Sequence, residues 1–250
     1  MTASRVTLAA PAKLTETLRI TGTRPDGYHE IDAEMLSLDL ADELTFDHGD
    51  SLEVVGGTGL PLAAGDDNLV RRALRAVGRT AKVRLCKRIP VGAGLGGGSA
   101  DAAAVLRWAA CTDLTLAASL GADVPFCLVG GRARVTGIGE VVAPLAPVDR
   151  TYTLLVPPFG ISTADVYRAW DGLGRPEGAH GNDLEPAALA VAPALREYRE
   201  HLGELSGSTP RLAGSGTTWF VLGSFPGDDR IVVRTAAPAT SWPGAGSGCA

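Results

Sequence analysis

Pro90-Val91-Gly92-Ala93-Gly94-Leu95-Gly96-Gly97-Gly98-Ser99 runs directly into Ala100-Asp101-Ala102-Ala103-Ala104, and the alanines predict a helix over 100–110. Upstream, residues 81–86 alternate Val83 and Leu85 with charged neighbours and predict a strand. Strand, glycine loop and helix in that order suit a phosphate site. A helix N-terminus presents unpaired N–H groups and the positive end of its dipole. Glycines before it let an anion approach with no Cβ in the way. Ser99, at the predicted helix start, offers a hydroxyl that either caps the helix or faces phosphate and Mg²⁺. Glycines alone also suit a flexible turn; the strand and helix on either side favour phosphate. No Lys-Ser/Thr pair follows the glycines, so this is not a Walker A loop. Pro90 before it, and no acid placed to bind a ribose after a second strand, argue against a dinucleotide fingerprint.

Toward the N-terminus, residues 5–10 read as a strand ended by Pro11, and 18–21 as extended chain. Arg24-Pro25-Asp26-Gly27 is a turn, 34–40 and 43–47 are strands, and 67–78 is a helix with Leu69, Val70, Ala73, Leu74 and Val77 on one face. Toward the C-terminus, 114–120 is a short helix closed by Gly121. Residues 132–135 and 153–156 read as strands flanking a turn at Gly137-Ile138-Gly139, and 151–158 as a domain junction. Helices near 163–171 and 195–202 follow, then a strand pair, 211–213 and 218–222, around Gly214-Ser215-Gly216. From Ala236 the chain is rich in Pro, Gly and Ser and reads as a frayed tail. Strands and helices mix without a regular βαβ repeat, so the expected fold class is α+β, in two domains of residues 1–150 and 151–250.

Composition narrows the function. Apolar residues make up 45% and charged residues 20%, as in ordinary globular proteins. A net charge of −5 gives no basic field for nucleic acid or anionic membrane, so an anionic ligand must be held by local groups. Cys86, Cys111, Cys127 and Cys249 form no C-x-x-C pair and have no histidines at ligand spacing, which argues against zinc and for thiols in a reducing compartment. The first residues carry no apolar run suited to a signal or a membrane span, and a cytoplasmic protein, monomeric or weakly dimeric, is expected.

The glycine loop resembles the central motif of the GHMP kinases. Ala10-Pro11-Ala12-Lys13-Leu14 and Leu212-Ala213-Gly214-Ser215-Gly216 resemble the motifs that stand before and after it in that family. Five more strings narrow the resemblance to the branch acting on a cytidylated methylerythritol: Arg24-Pro25-Asp26-Gly27-Tyr28-His29-Glu30, Leu120-Gly121-Ala122-Asp123-Val124-Pro125-Phe126, Gly137-Ile138-Gly139-Glu140, Ile161-Ser162-Thr163-Ala164 and Asn182-Asp183-Leu184-Glu185. The resemblance implies a two-domain α+β fold with ATP and substrate in the cleft between the domains. It implies Mg²⁺-ATP as donor and a cytidine diphosphate derivative as small-molecule acceptor. The 2-hydroxyl of its methylerythritol takes the phosphoryl group, a step of the non-mevalonate route to isoprenoid precursors.

It also implies roles. Residues Pro90 to Ala100 hold the nucleotide. Asp123 takes the proton of the attacking hydroxyl and Lys13 stands beside it, a cation that keeps the carboxylate ionised. Taken alone, Asp123 also reads as a turn cap and Lys13 as a surface lysine. Tyr28 and His29 hold the cytosine, with Tyr167 as a second aromatic. Thr163, Gly214 and Ser215 lie near the substrate, and Asp183 orients the site or caps a helix. Thr15 stands where the branch carries asparagine, and the spacer from Ser99 to Asp123 is shorter than the branch's. His48, His180 and His201 read as surface histidines. Two other readings stay open: a GHMP kinase for another small alcohol, and a catalytically inactive nucleotide-binding paralogue.

Overall fold

A computed structural model describes residues 5–57 and 64–238. Its first sheet is built on a long hairpin. β1 (Val6–Thr23) and β2 (His29–Asp47) pair antiparallel from end to end. The sequence reading stopped a strand at Pro11 and split the next in two, but both run on. The register shifts between Pro11 and Lys13, so a bulge falls where proline has no N–H to give the ladder. The opposite edge of β2 is shared. Ile31–Leu36 pairs with β5 (Arg132–Gly137), and Glu43–Asp47 pairs with β4 (Lys82–Lys87). β3 (Ser51–Gly56) lies parallel to β4, and β6 (Val141–Pro144) antiparallel to β5, giving the order β3-β4-β2-β5-β6 with β1 alongside β2. The partner of 132–135 across the Gly137–Gly139 turn is therefore β6, not 153–156.

Four helices accompany this sheet: α1 (Leu69–Ala76), α2 (Gly97–Trp108), α3 (Leu114–Leu120) and α4 (Val124–Val129). α1 starts at Asn68, whose side chain accepts from the Val70 N–H; α3 starts at Asp113, which accepts from Thr115 and Leu116. α2 packs against β1 with α1 and α4 beside it. Ala100, Ala102, Ala103 and Ala104 are fully buried there, and such small side chains let the helix lie close to the sheet. α4 was not foreseen, because Gly-Ala-Asp-Val-Pro reads as a turn.

The second sheet has the order β10-β7-β9-β8, from β7 (Thr151–Leu155), β8 (Arg211–Leu212), β9 (Trp219–Leu222) and β10 (Arg230–Arg234). Tyr152 and Leu154 are wholly buried, so the expected junction at 151–158 opens with a core strand of this sheet. α5 (Thr163–Gly172), α6 (Glu185–Val191) and α7 (Leu195–Ser206) complete this half. α6 is the helix that one reading of Asp183 foresaw; β10, a five-residue strand with arginine at both ends, escaped the sequence reading.

The two sheets are joined by a buried carboxylate. Glu16 on β1 accepts from Arg150 at 2.7 Å, Arg211 at 3.0 Å and the Tyr152 hydroxyl at 3.1 Å. The start of the expected tail is docked: the Ala236 N–H donates to the Ser37 carbonyl at 2.8 Å, and Pro238 bridges to Gly130. The rest of that tail, residues 239–250 with Cys249, lies outside the described residues. Among the described residues no helix is long and apolar enough to cross a membrane.

Candidate active site

The glycine stretch turns by alternating left-handed residues: Gly92, Gly94 and Gly96 have φ of 80°, 81° and 69°. Gly96 is the N-cap of α2, and the first bond of the helix runs from the Ala100 N–H to the Gly96 carbonyl. The N–H groups of Gly97, Gly98 and Ser99 thus lack helical partners and form an anion cradle. The helix begins three residues before the predicted start, although glycine is a poor helix former. Packing decides this: a Cβ on Gly97 would stand 3.1 Å from Lys87 Nζ and 3.2 Å from the Ile89 side chain. Ala93, Leu95 and Ala100 bury their side chains, so only their backbone is available to a ligand.

Lys13 closes over this cradle. Its N–H donates to the Leu95 carbonyl at 2.9 Å, and a Cβ on Gly96 would lie 2.7 Å from its Cγ. The side chain is nearly buried, at 6% exposure, which removes the surface-lysine reading. Its Nζ donates to Thr15 Oγ1 at 3.0 Å and lies 3.4 Å from Asp123 Oδ2. Asp123 occupies the N-cap position of α4 but makes no capping hydrogen bond. Gly139 comes up against the preceding residue, its missing Cβ 2.5 Å from the Ala122 carbonyl. The shortened spacer therefore still delivers Asp123 to Lys13.

The third glycine turn seats on the first. A Cβ on Gly94 would fall 2.5 Å from Gly216 Cα, and the Thr218 hydroxyl donates to the Ala93 carbonyl at 2.7 Å. Asn182 donates to the Leu212 and Gly214 carbonyls at 2.9 and 2.7 Å and so fixes that turn. Thr163 and Ser215 meet hydroxyl to hydroxyl at 3.0 Å. Asp183 caps nothing: it pairs with Arg19 and accepts from the Ile20 and Gly178 N–H groups, tying its segment to β1.

A cleft of about 620 Å³ opens between the halves, and Lys13, Asp123, Ser99, Thr163 and Ser215 lie on its wall. Thr15, Tyr28, His29, Tyr167 and Gly214 line it too. Tyr28, in the loop between β1 and β2, is 61% exposed. His29 stacks on Tyr167, ring centroids 4.9 Å apart, and meets the edge of Trp170 at 5.6 Å. Burial first, then the charge of Asp123, pushes the Tyr167 phenol up to about 12, so it stays a neutral hydroxyl. Pro90 and Val91 fall elsewhere, in a separate cleft with Pro157, Pro158 and Phe159. Of the other histidines, His48 and His201 are exposed and His180 is half-buried against Arg199.

Two groups of residues were missed in the sequence. Asp171 lines the cleft one turn beyond Tyr167 on the face of α5 that carries Thr163; the four-residue spacing was the available signal. The other is a buried triad beneath the cradle. Lys87 Nζ bonds Asp42 and, at 2.8 Å, Asp101, while Asp42 also accepts from the Arg88 and Ile89 N–H groups. It joins β2, β4 and α2, and no spacing in the sequence announces it. Burial lifts the Asp101 carboxyl to about 7 against the pull of Lys87. Burial would lower Lys87, but the two carboxylates outweigh it and raise it.

Residues 68–131 match the model of the GHMP kinases N terminal domain. The chain is 40% identical to the 4-diphosphocytidyl-2-C-methyl-D-erythritol kinase of Paracoccus denitrificans, over 97% of this chain and 96% of that one. It is 41% identical to the enzyme of that name from Pelotomaculum thermopropionicum, over 87% and 88% of the two chains. A crystal structure of a 4-(cytidine 5'-diphospho)-2C-methyl-D-erythritol kinase superposes with a TM-score of 0.73 at 32% identity, covering 93% of this chain and all (100%) of that one. A homoserine kinase from Cytophaga hutchinsonii, at 16% identity and a TM-score of 0.62, shares the fold.

Proposed function

This chain belongs to the 4-diphosphocytidyl-2-C-methyl-D-erythritol kinase family, and on that premise we propose that Asp123 and Lys13 carry transfer of the ATP γ-phosphoryl group to the 2-hydroxyl of that substrate's methylerythritol. The reaction is an ATP-dependent step of isoprenoid precursor synthesis. The observation that carries the assignment of roles is the 3.4 Å approach of Lys13 Nζ to Asp123 Oδ2 over the glycine cradle.

Phosphoryl transfer asks a protein for alignment and charge neutralisation more than for covalent chemistry. Asp123 accepts the proton of the attacking hydroxyl. Lys13 faces Asp123 and offsets the charge that gathers on the attacking oxygen. Thr15 orients Lys13 through its hydroxyl. The N–H groups of Gly97, Gly98 and Ser99 receive phosphate oxygens; the left-handed glycines that aim them, and the Cβ-sized gaps at Gly94 and Gly96, fit a triphosphate. Among the described residues no three Asp, Glu, His or Cys side chains gather as a metal site. Ser99, at the end of the cradle, would help to hold Mg²⁺ arriving with the nucleotide, and the ion would supply charge neutralisation for the phosphates. Tyr28 and Tyr167 pack on the cytosine, His29 reads its edge, and Thr163 with Gly214-Ser215 meets the diphosphate side.

We take 1–150 as the N-terminal domain, with the nucleotide loop, Lys13 and Asp123, and 151–250 as the C-terminal domain, whose described residues Thr163, Tyr167 and Ser215 line the same cleft. The place of work is the cytoplasm, in keeping with the reduced thiols of Cys86 and Cys127, and the working form is a monomer or weak dimer. A coupled ADP-release assay tests the function. Turnover with the cytidylated methylerythritol, and little with homoserine or mevalonate, is the expected result; equal rates on all three would defeat it. An inactive paralogue has no use for Lys13 and Asp123 together.

A further inference from the structure

His29 is held on three sides. Its ring stacks on Tyr167, meets Trp170 edge-on, and places Nε2 2.9 Å from Asp171 Oδ2. Asp171 is itself held: its Oδ1 accepts from Arg175 Nε at 2.9 Å, and the Arg175 guanidinium lies 5.8 Å from the centre of the Trp170 ring. A carboxylate can only accept, so in the neutral imidazole the shared proton sits on Nε2. Nδ1 is then a bare lone pair. The ring lines the cleft, on the side from which a ligand would come to it.

We propose that Asp171 is a positioning residue for base recognition, which fixes the proton of His29 on Nε2 so that Nδ1 accepts from the 4-amino group of cytosine and rejects uracil. This rests on the reading that His29 meets the base. A cytosine joined to ribose has one donor on its edge, the 4-amino group, and a fixed acceptor has no other partner there. Uracil presents a carbonyl oxygen at that place, and two acceptors would face each other. The stacked aromatics hold any base; the tautomer chooses among them.

The test compares kcat/KM for the cytidylated and uridylated methylerythritol in wild type and Asp171→Asn. The amide can turn its NH₂ to Nε2, which moves the imidazole proton to Nδ1. Wild type is expected to prefer cytosine by about tenfold or more, and Asp171→Asn to lose about tenfold of that preference through KM, with kcat moving less than about threefold. An unchanged preference in the variant, or no preference in wild type, overturns the proposal and leaves the kinase assignment standing; turnover of neither substrate overturns the kinase assignment itself. A second readout needs no variant of Asp171. ¹⁵N NMR of the His29 ring, assigned with His29→Gln, should show the neutral ring protonated at Nε2, and a proton on Nδ1 sinks the proposal.

Discussion

Asp123 sits where a helix cap belongs and caps nothing. An aspartate at that position ordinarily satisfies one of the free N–H groups of the first turn, which contributes roughly 1 kcal/mol. Here the carboxylate forgoes that bond, remains about a third exposed and faces a buried ammonium. Its free lone pairs are what a general base needs. Asp123→Asn keeps the shape and removes the basicity, so turnover should fall by at least about a hundredfold while nucleotide affinity survives. Single-turnover rates beside an ATP titration check this; an unchanged rate removes Asp123 from the chemistry. Tyr28, open to solvent, has little to hold it until a base arrives. Tyr28→Ala should raise KM for the cytidylated substrate by about three- to tenfold with kcat little changed, the scale of one stacking contact. Steady-state kinetics decide, and an unmoved KM counts against stacking.

At the scale of elements, the candidate site is two glycine turns pressed together above a buried charge cluster. Gly94 has a left-handed φ of 81° and no room for a Cβ beside Gly216. Gly94→Ala therefore incurs both backbone strain and a clash, at least about 2 kcal/mol together. Loss of nucleotide affinity larger than any loss of thermal stability is the expected pattern; a variant that binds ATP normally would show that the turns are not mutually fitted. Beneath them, Asp101 binds its proton more tightly in the folded protein, at about 7 against the ordinary 3.8. A raised folded pKa gives stability that is complete below the ordinary value and disappears as pH rises through the folded one. The contribution of Asp101 should thus decline between about pH 4 and about pH 7, and Asp101→Asn, which cannot ionise, should remove that part of the slope. Urea midpoints of both proteins across this range test it, and parallel curves would contradict it.

Across the whole molecule, Glu16 bonds Arg150, Arg211 and Tyr152 and so links the first strand of one sheet to two strands of the other. Glu16→Ala leaves those partners short of an acceptor. Both arginines are about a third exposed and can hydrate in part, which holds the expected loss to about 2–3 kcal/mol. Equilibrium unfolding in urea should show it; a loss under about 0.5 kcal/mol would mean the joint is carried by apolar packing alone.

Reading along the chain finds what local chemistry fixes. The loop from Pro90 to Ser99, the Tyr28-His29 corner, the 163–171 helix and the last hairpin each announce themselves through neighbouring residues. Strand continuity through Pro11, the helix start at Gly97 and the helix after Asp123 do not, because each is settled by a partner far along the chain that outweighs local propensity. The amino-acid order alone determined the reaction class, through a set of motifs that resemble those of the GHMP kinases in kind and in order. Only the folded molecule decided how closely Lys13 approaches Asp123, that Asp171 holds His29 and that Lys87 lies between Asp42 and Asp101, because such distances depend on how two sheets and their helices pack, and no sequence spacing records that.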